Sequence, residues 1–368
     1  MYLQPNTSLQ AGKYIIKGLL GQGGFGITYL AQQVLLNRVV AIKEFFPRDL
    51  CDREEGATQI ALNTRSAAEA VKRYKRKFIS EARTIAQFIH PKIVQIFDVF
   101  EENGTAYFVM EHINGESIQE KLQREGRMDE RQAIHYIRGV CEALSTLHHR
   151  NVNHLDIKPS NIMVRRNDDS PVLIDFGVAK EYDDSGRELT TSLIGISAGY
   201  APLEQYEKGG LAHFSPQTDI YALGATLFKM VTGNNPPSQS EIQGGFFDTS
   251  LQGLSPQVSE AIRRSMRPFR EERPATIEAF LALLDTPAST TPPPYQPVPP
   301  AAPTPPPYMG PVQAPYAGPV QTPYNSDDVM EYYKRFKPSE KNDKQFNVLL
   351  ICIGIVMVVG LLLVLAML

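Results

Sequence analysis

The stretch His154-Leu155-Asp156-Ile157-Lys158-Pro159-Ser160-Asn161 decides how this chain is read, and Asp175-Phe176-Gly177 follows it closely. An acid, an amine and an amide at this spacing suit phosphoryl transfer. Asp156 is placed to accept or orient the proton of an incoming hydroxyl, and Lys158 to neutralise charge on the moving phosphoryl group. Asn161 with Asp175 is placed to hold a Mg²⁺, with Mn²⁺ as an alternative. A polar surface loop is the bland reading, and the joint occurrence of both motifs argues against it.

Upstream, residues 14–20 alternate as a strand does, Gly21-Gln22-Gly23-Gly24-Phe25-Gly26 interrupts, and residues 27–32 resume an extended pattern. Glycines there let a loop lie over phosphates and present backbone N–H donors. A dinucleotide-binding turn uses similar glycines but opens a helix, whereas here a strand follows. Val39-Val40-Ala41-Ile42-Lys43 ends an apolar strand in a lone amine, which a buried strand carries only where something anionic meets it. Phosphates and a carboxylate answer that need. Phe78, Glu81, Ile85 and Phe88 share one helical face, which makes Glu81 the carboxylate of choice and leaves Glu69 as the alternative. Residues 45–76 read as a charged surface insertion that lengthens the Glu81 helix.

Two strands, 93–100 and 106–110, flank a turn, and residues 131–150 form a long amphipathic helix running into the Asp156 loop. His148 and His149 end that helix as terminal cations rather than metal ligands. Residues 162–164 and 172–174 then form a hairpin that sets Asn161 beside Asp175.

Together these motifs resemble the bacterial eukaryotic-like (Hanks-type) Ser/Thr protein kinases, over residues 12–285. The resemblance implies an α+β, two-lobed fold with a small β-rich lobe, a larger helical lobe and Mg-ATP between them. It places Gly21, Gln22, Gly23, Gly24, Phe25, Gly26, Thr28, Ala41 and Lys43 around the nucleotide, with Thr28 standing where the family usually has Val. By the same likeness Met110 is the gatekeeper, Glu111 and Ile113 belong to the hinge that meets adenine, and Met163 is the floor beneath it. Met110 as a plain core methionine has the same sequence signature.

Further on, the resemblance makes Thr190, Thr191 and Ser192 the phosphorylation candidates of an activation segment. Ser197 takes the position that contacts the catalytic acid and, with Lys158, favours Ser/Thr acceptors. Glu204, closing Gly199-Tyr200-Ala201-Pro202-Leu203-Glu204, pairs with Arg273, and Asp219 braces the Asp156 loop from a buried helix. The departure is Leu155, where the family commonly has an Arg that clamps a phosphate on the activation segment, so activity is expected to depend little on that phosphate. The rival reading is a catalytically weak or inactive scaffold of the same fold. Its mark would be a lost metal or phosphate ligand, and none is lost. A small-molecule kinase fits less well, because residues 199–204 resemble the segment that seats peptides.

A net charge of −3 over 368 residues argues against a nucleic-acid binder, and Cys51, Cys141 and Cys352 lie too far apart for a zinc or disulfide framework. Residues 1–12 lack the pattern of a secretory signal. Residues 286–345 form a proline-rich, then basic, juxtamembrane linker in which Pro-Pro-Pro-Tyr occurs at 292–295 and 305–308; a spacer is favoured over a ligand for aromatic grooves. Residues 346–368 read as a transmembrane helix. Its uncharged run, 348–368, is long enough at about 1.5 Å per residue to cross the ~30 Å of a bilayer core. Cations before it place the 12–285 domain on the cytoplasmic side of the plasma membrane.

Overall fold

The computed structural model describes residues 2–65, 67–176, 199–206, 214–238, 241–242 and 246–285. Gly177, Thr190, Thr191, Ser192, Ser197, the proline-rich linker and the apolar run 348–368 lie outside them. Among the described residues, no helix is long and apolar enough to cross a membrane.

The N-terminal lobe is built on β1(Ser8–Leu9), β2(Tyr14–Gln22), β3(Gly26–Gln33), β4(Arg38–Phe45), β7(Ile96–Glu102) and β8(Thr105–Glu111), an antiparallel sheet in the order β1-β2-β3-β4-β8-β7. A separate hairpin, β5(Cys51–Asp52) with β6(Ala61–Leu62), and the helix α1(Ala67–Ile85) come between β4 and β7. The two-residue period of β4 sorts its side chains between two cores. Ala41 and Phe45 join the core that α1 covers, through Phe78, Ala82 and Ile85. Val40, Ile42 and then Phe46 join a second core on the sheet's other face, closed by Leu3, Leu9 and Cys51.

That second core corrects two expectations. The folded unit takes in residues before 12, because Leu3 and Leu9 are buried and β1 pairs with β2. Residues 45–76 are also more than a surface insertion. The helix begins within them, at Ala67, and Arg53 is buried against Glu44 in an ion pair whose side chains are both 0% exposed. Tyr29 Oη and Tyr107 Oη donate to the same carboxylate at 2.7 and 2.8 Å, so the buried acid is fully partnered. The expected strand 93–100 begins only at Ile96, because residues before it pair elsewhere: Leu173 N–H donates to Lys92 O and Val94 N–H to Leu173 O, at 2.8 and 3.0 Å.

The helical lobe follows with β9(Gly115–Ser117), α2(Ile118–Glu125), α3(Glu130–His148), β10(Ile162–Arg165), β11(Pro171–Leu173), α4(Pro216–Thr232), α5(Phe246–Ser250), α6(Pro256–Ser265) and α7(Ile277–Asp285). Ser117 and Glu120 form a capping box that starts α2, and Asp129 caps α3 by accepting from Arg131 N–H. α4 is apolar on nearly every side, with Ile220, Leu223, Leu227 and Phe228 all 0% exposed, so it lies in the middle of the lobe. The acid it carries, Asp219, is likewise 0% exposed.

Candidate active site

The Asp156 loop is held from beneath by Asp219. One carboxylate oxygen accepts the Leu155 N–H at 2.8 Å, and the other accepts the His154 N–H at 2.8 Å together with His148 Nε2 at 2.8 Å. His148 ends α3 as the sequence suggested, but its side chain is only 8% exposed and faces an acid, which makes it part of the brace. Leu155 takes a φ of 65°, a left-handed conformation uncommon for leucine, and its carbonyl accepts from the buried amide of Gln205 at 2.9 Å. The His154 ring is 0% exposed, accepts the Asp156 N–H on Nδ1 at 3.3 Å and so carries its proton on Nε2, toward Ile174 O at 3.2 Å. Burial keeps that imidazole neutral by lowering its pKa. Its ring lies 4.4 Å from that of Phe176, which ties the two motifs together.

On this base the chemistry-bearing groups converge. Asp156 Oδ2 accepts from Lys158 Nζ at 2.8 Å and from Asn161 Nδ2 at 2.7 Å. The Asn161 amide also reaches the carbonyls of Asp156 and Asp175, at 2.9 and 3.3 Å. With its nitrogen committed to these acceptors, Asn161 turns its oxygen the other way, where it accepts from Ser160 Oγ at 3.3 Å and has a second lone pair for a cation that the Asp175 carboxylate would share. An all-oxygen pair of one amide and one carboxylate suits a hard cation that takes its remaining ligands from water and phosphate. Among the described residues no group of three or more His, Cys, Asp or Glu could hold a metal by itself.

Lys43 enters from β4, where it pairs across the sheet with Thr28 and Phe108. Its Nζ donates to Asp175 Oδ1 at 2.7 Å. Glu81, the carboxylate chosen from the sequence to meet it, is 7% exposed and acts on it through charge, without a hydrogen bond among the described residues; Glu69 is exposed. Burial pulls the Lys43 pKa down, but the carboxylates of Asp175 and Glu81 outweigh it and hold the amine above its ordinary value. Burial pushes Asp175 up, and the charge and hydrogen bond of Lys43 overcome this to leave it below its usual range. Glu81 has only the charge of Lys43 to offset burial, and it is pushed up to about 8.

The glycine loop joins β2 to β3 through a tight turn, with Gly23 N–H donating to Gly26 O at 2.8 Å. A Cβ on Gly26 would sit 2.8 Å from Glu44 O, so only glycine lets the loop approach β4 this closely. Gly21 and Gln22 pair with Thr28 and Ile27, so Thr28 stands at the loop's base. Behind the loop, Ala41, Met110 and Ile113 belong to one buried cluster, against which Met163 packs. Glu111 gives its N–H to Gln95 O at 2.9 Å and its carboxylate to Arg165, which grips it at 2.6 and 3.0 Å. Its side chain thus fastens the connection between the lobes. Glu204 is gripped likewise by Arg273, at 2.6 and 3.1 Å, and accepts from Thr218 at 3.2 Å.

Sequence reasoning missed Arg53, Gln205, His148 and Arg165. Only Glu44 carried a usable signal, as a second charge in an apolar strand, next to the lysine already singled out.

A two-lobed fold with an acid, an amine and two metal-suited oxygens at its centre defines a phosphoryl-transfer architecture, and a family pattern described as Protein kinase domain matches residues 14–283. The chain belongs to that family. Among curated proteins, it is 32% identical over 226 residues to serine/threonine-protein kinase PrkC of Bacillus subtilis, an alignment covering 61% of this chain and 31% of that protein. It is 30% identical over 293 residues to serine/threonine-protein kinase pkn3 of Myxococcus xanthus, covering 74% and 50%. With serine/threonine-protein kinase B of Synechocystis the identity is 28% over 289 residues, covering 75% and 47%. The chain thus spans 31 to 50% of the length of these relatives. A solved structure named "PpkA-294 apo form" superposes with a TM-score of 0.67 at 30% identity, covering 77% of this chain and 99% of that one.

Proposed function

We propose that this chain transfers the γ-phosphoryl group of ATP to Ser or Thr side chains of proteins, with Mg²⁺ held by Asn161 and Asp175. The reading is carried by one observation: Asp156, Lys158, Asn161, Asp175 and Lys43 form a continuous hydrogen-bonded set in which no phosphate or metal ligand has been replaced. Asp156 accepts or orients the acceptor hydroxyl's proton. Lys158, already bonded to Asp156, meets the charge that develops on the phosphoryl oxygens, and Lys43 positions the nucleotide phosphates. A bound Mg²⁺ supplies charge neutralisation and orients those phosphates. The choice of Ser/Thr rests on Lys158, on Ser197 and on the relatives being serine/threonine-protein kinases.

The uncharged run 348–368 and the cations before it support anchorage by a single span in the plasma membrane, with the kinase domain in the cytoplasm and residues 286–345 as the spacer. The test of the activity is incubation of the purified chain with labelled ATP, Mg²⁺ and a generic basic protein. Acid-stable label on Ser or Thr is expected, and label that survives Asp156→Asn at the unmutated rate would refute the assignment. For the anchor, deleting residues 346–368 should release the protein from membranes. A truncated chain that still pellets with them after a high-salt wash would contradict it.

A further inference from the structure

The tip of the glycine loop carries Phe25, 37% exposed, and its ring meets Tyr74 of α1 edge to face, with centroids 5.9 Å apart and planes at 78°. Tyr74 lies in the N-terminal half of α1, within residues 45–76. The ring is fixed at its base, because Tyr74 packs on the core that α1 covers. It is flanked by two cations, with Arg73 Cζ 5.3 Å and Lys77 Nζ 5.5 Å from its centroid.

The same helix face then runs through Phe78, whose ring meets Phe45 and Phe108 at 5.7 and 4.9 Å, to Glu81, whose charge acts on Lys43. Tyr74 and Glu81 stand about two helical turns apart, so one face of α1 touches the loop, the sheet and the field of the amine. The insertion holds the loop from its other side as well. Beyond β4 the ladder continues, with Phe46 N–H donating to Phe25 O at 2.8 Å and Arg48 N–H to Gly24 O at 3.2 Å.

We propose that Tyr74 is a positioning residue for the nucleotide: through Phe25 it fastens the glycine loop to α1, so that closure of the loop over the phosphates and placement of Glu81 beside Lys43 are one movement. The inference rests on the proposed ATP-binding reading and adds to it a residue outside the glycine, lysine and metal motifs. It also gives the insertion a task at the site. The backbone bonds to Phe46 and Arg48 tie the loop to the sheet, and the aromatic contact adds a tie to the helix that lifting the loop would also break.

The test compares the unmutated full chain with Tyr74→Ala, Tyr74→Phe, Phe25→Ala and the double variant Phe25→Ala/Tyr74→Ala. The readouts are kcat and the KM for ATP on a generic basic protein, and the Kd of Mg-ADP by calorimetry. Tyr74→Ala and Phe25→Ala are each expected to raise KM and Kd about three- to tenfold, the range one aromatic pair spans. The double variant should be no worse than either single one, because both remove the same contact. Tyr74→Phe should behave as the unmutated protein, since the ring and not the hydroxyl makes the contact. Phe25→Ala keeps the test sound if Tyr74→Ala disturbs the core, because it removes the contact from an exposed loop tip. Unchanged Kd in Phe25→Ala, single effects that multiply in the double variant, or Tyr74→Phe as damaging as alanine would each overturn the proposal. Coupled Kd effects in a chain that transfers no phosphate would support Tyr74 while sinking the kinase reading. Transfer with independent single effects would do the reverse. A chain that binds no nucleotide would overturn both.

Discussion

Two buried carboxylates, Asp219 and Glu81, serve the same site under opposite conditions. Asp219 accepts two backbone N–H groups and a histidine, so its charge is met by fixed donors and the loop above it is determined in detail. Glu81, among the described residues, receives no hydrogen bond, and burial drives it up to about 8. The difference teaches where the molecule is rigid. The acid half of the site, comprising Asp156, Lys158 and Asn161, is set in place by α4, while the amine half, comprising Lys43, Glu81 and the glycine loop, has partners still to choose. Lys43 currently chooses Asp175.

The largest effect should come from the fixed half. Asp156→Asn is expected to lower kcat by about 10²- to 10⁴-fold, the usual range for a positioned acid or base, while thermal unfolding and nucleotide affinity stay near those of the unmutated chain. A fall in nucleotide affinity of the same size would mean that the two halves cannot be separated. Asp219→Ala tests the brace itself. It leaves the His154 and Leu155 N–H groups without their acceptor, at a cost of about 1–3 kcal/mol each, and denaturant unfolding should record that loss together with reduced kcat.

The adjustable half is probed by pH. Because Glu81 is held near 8 in the fold against 4.5 ordinarily, the native state binds its proton more tightly than the unfolded chain between those values. Its contribution to stability is therefore present at low pH and declines as pH rises through that window. Glu81→Gln should remove this component, so that the drop in Tm from pH 5 to pH 8 is smaller than in the unmutated protein. An equal drop in both proteins would show that Glu81 has a fixed partner after all, and the comparison with Asp219 would fail. The smallest effect is expected from replacing Thr190, Thr191 and Ser192 by Ala. Leu155 cannot form charge-assisted bonds to a phosphate, and the loop it belongs to is already held by Asp219 and Gln205, so activity should fall less than about tenfold, or about 1.4 kcal/mol.

The fixed half was legible in the sequence and the adjustable half only partly so, for physical reasons. Asp156, Lys158, Asn161, Asp175, Asp219 and the Glu204–Arg273 pair stand in motifs whose spacing is dictated by one loop and its braces, so residue identity carries position with it. His148 escaped because its partner lies 71 residues away, and nothing at a helix end distinguishes a histidine that faces an acid from one that faces water. Arg53 escaped because the insertion has no period from which burial could be read. The identities of Lys43, Glu81 and Asp175 named the triad but not which two would touch, since the three come from segments far apart in the chain. Leu3 and Leu9 carried no signal, being isolated apolar residues in a polar segment.

Amide hydrogen exchange with and without Mg-ATP, read segment by segment, tests the division between the two halves most directly. The account predicts that the amides of His154 and Leu155 are strongly protected in the free protein and change little on nucleotide addition, while residues of the glycine loop and of α1 gain protection together. Rapid exchange at His154 and Leu155 until nucleotide is added, or a glycine loop that gains protection while α1 does not, would contradict it.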